Sequence, residues 1–155
     1  YIDPAVNVIA LVDFDNDCAG TSVAVARALG ERLWGVRLDT SGTLVDKSVI
    51  PQMGTFPPTG VNAQLVHNVR DALDREGFRT VKIVVSGGFD ADRIRTFEHD
   101  RVPADAYAVG SAFFKGAGSF DFTADIVALD HGEGRKECHK VGRPERPNPR
   151  LSVVE

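Results

Sequence analysis

Apolar runs and amphipathic stretches alternate along this chain at the spacing of strand and helix units. "NVIALVD" (7–13) is nearly continuous in apolar residues and ends in acid, the pattern of a strand buried on both faces. "AGTSVAVARALGER" (19–32) follows with good helix formers, apolar positions at Val23, Ala26 and Gly30, and charge at its end. "LWGVRLD" (33–39) predicts a second strand. The clearest helix is "VNAQLVHNVRDALDREG" (61–77), in which Val61, Leu65, Val69 and Leu73 recur every four residues and Gly77 stands where a helix stops. "TVKIVVS" (80–86) predicts a third strand. Asp90 is placed to cap a short helix carrying Ile94 and Phe97, and "ADAYAVG" (104–110) predicts a fourth strand. Between the second strand and the clear helix lies "TSGTLVDKSVIPQMGTFPPTG", a loop of about 20 residues, which in a compact domain is functional or mobile.

The order β-α-β-loop-α-β-α-β implies right-handed crossovers and a parallel sheet. Beyond it the pattern changes. "FTADIVALD", "GRKECHKVG" and "RLSVVE" alternate apolar and polar residues between Gly and Pro turns, which predicts a small antiparallel addition, with "GRPERPNPR" (142–150) as an extended strap. The expected division is 1–118 for the α/β part and 119–155 for a C-terminal β extension packed on the same domain.

Composition narrows the class. With 43% hydrophobic and 26% charged residues in 155, the chain is that of a globular domain with one core. Its apolar runs are too short to span a bilayer. A net charge of −4 speaks against a broad surface for nucleic acid or anionic lipid, so any phosphate must be held locally, by backbone amides and a few placed cations. Cys18 and Cys138 lack CxxC spacing and read as free thiols of a reducing cytoplasm. The chain opens on Tyr1-Ile2-Asp3-Pro4, with neither an initiator Met nor a signal segment, and reads as a piece of something longer.

Parallel α/β folds bind ligands at the carboxyl ends of their strands, where loops vary freely and helix N-termini converge. The strand ends here are Asp13-Phe14-Asp15, Arg37-Leu38-Asp39-Thr40, Ser86-Gly87-Gly88 and Gly110-Ser111. The last two match a two-loop phosphate site, since glycine lets the backbone approach an anion closely, and Lys115 stands nearby to add charge. A plain strand-to-helix turn is the alternative for either loop taken alone. Arg37 and Asp39 share one face of their strand. There an aspartate can grip vicinal ribose hydroxyls and an arginine can hold a carboxylate or pyrophosphate at two points, or the pair forms a structural ion pair. "DFDNDCAG" (13–20) has Cys18 where a calcium loop needs glycine and Ala24 where it needs glutamate. It does not continue as the Asp-x-Asp phosphatase motif either. Asp13 is left as a pocket-lining candidate, and Asp15 and Asp17 as a solvated turn and helix cap. His67, His99, His131 and His139 have neither metal-ligand nor triad spacing.

Taken together and in order, "GVRLDTSG", "IVVSGGFDADRI", "DAYAVGSAF", "FTADIV" and "KVGRPERPNPRL" resemble the C-terminal part of nicotinate phosphoribosyltransferases, closest to their archaeal-like branch. The resemblance covers nearly the whole chain but only part of that family's length. It implies an irregular, TIM-like α/β barrel of the type II phosphoribosyltransferases, here partial. It also implies a reaction in which nicotinate and 5-phosphoribosyl-1-pyrophosphate give nicotinate mononucleotide and pyrophosphate in NAD salvage, with Mg²⁺ and coupled ATP hydrolysis. Carried over by motif, Arg37 and Asp39 are the catalytic candidates, facing the pyridine carboxylate and the ribose. Ser86, Gly87, Gly88, Gly110 and Ser111 wrap the 5′-phosphate, and Thr40 supports that wall. No protein metal site is evident, a homodimer or higher homo-oligomer is expected, and neither nucleic acid nor membrane is a partner. Two other readings stay open: a quinolinate phosphoribosyltransferase-like enzyme, which shares fold and phosphate logic, and a non-catalytic phospho-ligand-binding module.

Overall fold

The computed structural model describes Asp3 and residues 6–114 and 124–150. Two compact units divide the chain, Tyr1–Asp121 and Phe122–Glu155. In the first, the order is β1 (Val8–Leu11), α1 (Cys18–Leu29), β2 (Leu33–Leu38), α2 (Ala63–Arg75), β3 (Lys82–Val85), α3 (Ala91–His99) and β4 (Ala106–Tyr107). Short 3₁₀ turns occupy Gly30–Arg32, Ile50–Gln52 and Ser111–Phe114.

The four strands are parallel and lie in sequential order, β1-β2-β3-β4. With right-handed crossovers, a sheet that always steps in the same direction carries all its helices on one face, the winding sense of a barrel wall. Burial agrees with this. In register, Ala10 lies opposite Val36, Val36 opposite Ile83, and Leu38 opposite Val85. These residues share one core with Cys18 and Ala26 of α1, Leu65, Val66, Val69 and Leu73 of α2, and Phe97 of α3. The opposite face carries Ile9 and Leu11, which are exposed, then Arg37 and Val84. The sheet among the described residues is open, with β1 and β4 at its edges, and does not itself close a barrel.

Local chemistry sets the helix ends. Asp17 caps α1 by accepting from Gly20 N at 3.0 Å, Asn62 caps α2 by accepting from Leu65 N at 2.9 Å, and Asp90 caps α3 by accepting from Arg93 N at 3.0 Å. The aspartate caps at 17 and 90 are those expected from sequence. The α2 helix starts two residues later than its periodicity suggests, because Asn62 spends its side chain on the cap. The fourth strand is shorter than expected, pairing only through Ala106 and Tyr107 with Val84 and Val85. No helix among the described residues is long and apolar enough to cross a membrane.

The second unit contains an antiparallel pair, β5 (Ala128–Asp130) with β6 (Arg135–Glu137), as the alternating pattern predicts. An ion pair joins Arg135 to Glu145, and Arg143 reaches Asp125 at 3.3 Å. The expected strand in "RLSVVE" lies at 151–155, outside the described residues.

Candidate functional site

All four strands end on the same edge of the sheet, and the residues singled out from sequence gather there at β2 and β3. Pairing of Leu38 with Val85 places Asp39 and Ser86 side by side, although 47 positions separate them in the chain. Arg37 donates from Nη2 to Asp39 Oδ2 at 3.0 Å and from Nε to Ser86 Oγ at 3.2 Å. The structural ion pair is therefore formed. Both side chains remain partly open to solvent, 43% for Arg37 and 32% for Asp39, so the pair lines a surface rather than plugging a core.

Ser86 works inward. Its amide and its hydroxyl both donate to the Leu38 carbonyl, at 2.9 and 3.0 Å, while its oxygen accepts from Arg37. The donor groups expected to wrap a phosphate are thus committed to the β2 strand, and the residue holds the Arg37 guanidinium in place. The adjacent glycines behave differently. Gly87 and Gly88 have φ of +86° and +76°, a left-handed backbone that L side chains adopt only under strain. A Cβ on Gly87 would lie 3.2 Å from Asp39 Oδ1, so the carboxylate rests directly against this loop.

Thr40 is buried, 3% exposed, with its hydroxyl 3.5 Å from the Cys18 thiol. Its carbonyl oxygen would lie 3.8 Å from a Cβ at Gly87. Asp13 is 1% exposed beneath the turn in which Asn16 N donates to its carbonyl, so its carboxylate does not line an open surface. Gly110 and Ser111 follow β4 and are exposed, and Phe113 N closes a turn on the Gly110 carbonyl at 3.0 Å. A Cβ at Gly110 would meet nothing within 4 Å, so this glycine answers no local steric demand, unlike Gly87. Lys115 lies outside the described residues.

The long loop after β2 is anchored at its middle. Asp46 is fully buried and accepts from Cys18 N, at the first turn of α1, at 2.9 Å, and from Ser48 N and Oγ at 2.9 and 2.8 Å. Asn16 Nδ2 donates to the Val45 carbonyl at 2.7 Å and Lys47 N to the Asn16 carbonyl at 3.0 Å. Burial, reinforced by the negative charge of Asp46, pushes the Cys18 thiol far above the ordinary range. Cys18 and Cys138 are both free thiols.

Two contributors escape a reading by strand ends. Asp46-Lys47-Ser48 carries the sequence of an Asx turn, a legible signal for the loop anchor. Arg93 looks like a surface charge on a short helix, yet its guanidinium reaches back to the Gly87 carbonyl at 2.7 Å. Phe89, four positions earlier, is its only sequence-level sign. Asp90 also changes the expected electrostatics, because a carboxylate already caps the α3 N-terminus and offsets the dipole there. An anion at this edge is left with the loop amides and Arg37. A groove of about 440 Å³ lies at the opposite edge, lined by Val8, Leu33, Trp34, Thr80 and Lys82 at the strands' amino ends. It contains none of the candidate site residues named from sequence, and ligand chemistry of parallel sheets belongs to the carboxyl edge.

No family model and no curated protein matches the chain. Among solved structures it is similar to the crystal structure of nicotinate-nucleotide pyrophosphorylase from Pyrococcus furiosus, with 33% sequence identity and a TM-score of 0.55 over 92% of this chain. The chain spans 31% of the length of that protein. Similarity thus extends over nearly all of these residues to somewhat under a third of a nicotinate-nucleotide pyrophosphorylase.

Proposed function

We propose that this chain carries the ribose- and phosphate-binding wall of a phosphoribosyltransferase that makes a pyridine mononucleotide, within a longer α/β barrel. The observation that carries the reading is the junction of Asp39 with the Gly87 turn, where a partly exposed carboxylate sits against a loop that only glycine accommodates without strain. The carboxylate accepts from the vicinal hydroxyls of the ribose, and the adjoining loop receives the 5′-phosphate through its amides. The similarity to a nicotinate-nucleotide pyrophosphorylase supports the same chemistry.

The reaction joins the pyridine nitrogen to C1 of 5-phosphoribosyl-1-pyrophosphate as the C1–O bond breaks and its electron pair leaves on pyrophosphate. Positive charge develops on the ribose in the transition state. A negative Asp39, held by Arg37 and directed at the ribose, stabilises that charge and fixes the sugar, while the phosphate loop supplies binding energy away from the reacting bond. Arg37, steadied by Ser86, keeps donors for the pyridine carboxylate. Nicotinate is the substrate favoured by the sequence resemblance; quinolinate is favoured equally by the solved neighbour and would lose CO₂ in the same site. Mg²⁺ and ATP are the co-reactants of the nicotinate reading. Among the described residues no three His, Cys, Asp or Glu side chains converge as a cation cage. In this reading the enzyme acts in the cytoplasm as a homodimer or larger homo-oligomer.

Calorimetric titration of the chain with nicotinate mononucleotide and with inorganic phosphate tests the proposal. The nucleotide binds more tightly than phosphate, and Asp39→Ala removes that preference while phosphate binding persists. Equal affinities in the parent chain, or an undiminished preference in Asp39→Ala, refute it. In the complete enzyme, CO₂ release with quinolinate identifies that substrate, and mononucleotide formed from nicotinate without CO₂ release identifies nicotinate.

A further inference from the structure

Arg93 is the cation that the binding scheme above leaves without a task. Its side chain leaves α3 and folds back over the ring of Phe89, 4.1 Å from guanidinium carbon to ring centroid, and that ring is 1% exposed. Nη1 donates to the Gly87 carbonyl at 2.7 Å and Nη2 donates to the Val61 carbonyl. These acceptors come from different connections, one from the turn after β3 and the other from the end of the long loop before α2. A planar guanidinium is suited to hold two carbonyls at once in a fixed relation, and a lysine is not.

The grip on Gly87 reaches further than one carbonyl. In a planar trans peptide the C=O of Gly87 and the N–H of Gly88 point in opposite directions. Holding the oxygen therefore aims the Gly88 amide away from Arg93. Both flanking residues are glycines of unusual backbone freedom, so this peptide plane would otherwise be among the easiest in the chain to reorient. We infer that Arg93 is a positioning residue that locks the Gly87–Gly88 peptide plane for anion binding and ties that turn to the start of α2. The inference rests on the reading that this turn receives the 5′-phosphate.

The test uses Arg93→Lys, which keeps the charge but not the fork, and Arg93→Gln, in the 155-residue chain labelled with ¹⁵N. The order parameter of the Gly88 N–H falls from the rigid range of ~0.85 to below ~0.6 in both variants, while that of Val36 in β2 is unchanged. Affinity for inorganic phosphate falls by about tenfold or more in both, the scale of one lost hydrogen bond to an anion. An Arg93→Lys chain that keeps a rigid Gly88 amide and parental phosphate affinity overturns the role of Arg93. A parent chain that does not bind phosphate overturns the phosphate role together with the proposed function, and the Gly88 order parameter separates that outcome from a failure of the Arg93 tie.

Discussion

Replacing Gly87 by alanine probes the contact between the glycine turn and Asp39, and the same fold supplies a matched control. Gly87 and Gly77 share a φ of +86°. A Cβ at Gly77, after α2, would meet nothing within 4 Å, whereas at Gly87 it would lie 3.2 Å from Asp39 Oδ1 and 3.8 Å from the Thr40 carbonyl oxygen. Left-handed backbone costs an L residue about 1–2 kcal/mol. Both substitutions should therefore lower the melting temperature by roughly 3–10 °C, at ~3–5 °C per kcal/mol for a domain of this size. Only Gly87→Ala also pushes the carboxylate, by a few tenths of an ångström, against an Arg37 contact that is already 3.0 Å long. Losing the proposed charged hydrogen bond from Asp39 to a ribose would cost about 1.5–3 kcal/mol, or roughly tenfold to a hundredfold in affinity. Thermal unfolding followed by circular dichroism reads the strain, and calorimetric titration with nicotinate mononucleotide reads the contact. Equal weakening of nucleotide binding by Gly77→Ala and Gly87→Ala, or parental binding by Gly87→Ala, refutes a role for the Gly87–Asp39 contact.

Three further outcomes follow from the same contacts. Ser86→Ala removes the hydroxyl that bridges Leu38 and Arg37; about 1 kcal/mol of stability should be lost in urea unfolding, and the Arg37 Nε resonance should move in ¹⁵N spectra. Asp46→Ala strips the acceptor from Cys18 N, Ser48 N and Ser48 Oγ and leaves buried donors unpaired; unfolding free energy should drop by about 3 kcal/mol or more, and Cys18 should become accessible to a thiol reagent in the folded protein. Burial and the hydrogen bond to Glu98 raise the Tyr107 phenol to about 12. Because the folded value lies above the unfolded one, this group's stabilisation is whole below pH ~10 and is lost between ~10 and about 12. An ultraviolet phenolate titration should show that late step, and Glu98→Gln should bring it down.

Periodicity and capping made the helices legible, since Leu65, Val69 and Leu73 mark one face and Asp17 and Asp90 begin α1 and α3 through local hydrogen bonds. The parallel sheet followed from the alternation of strand and helix. Strand lengths did not, because β4 is limited by the two residues with which it pairs on β3, a matter of register rather than composition. Strand-end position picked out Asp39, Gly87 and Gly88, and both glycines do adopt a positive φ that strains other residues. The direction of Ser86 was hidden, since its partners on Leu38 and Arg37 are 48 and 49 residues away and depend on the β2–β3 register. Arg93 was hidden for a similar reason: nothing near it in sequence announces that Val61 will be within its reach.

The anchor at Asp46 has a consequence in time as well as in space. Helices α1 and α2 can form from local contacts, but the Asp46 to Cys18 bond closes 28 residues and the Arg37 to Ser86 bond closes 49, and such closures follow local structure in folding. The carboxyl edge of the sheet therefore depends on contacts that close only once distant segments of the chain have met. A chain in which α1 and α2 are helical but these closures are open lacks the juxtaposition of Asp39 with the glycine turn, so a helical signal alone does not report this edge as formed.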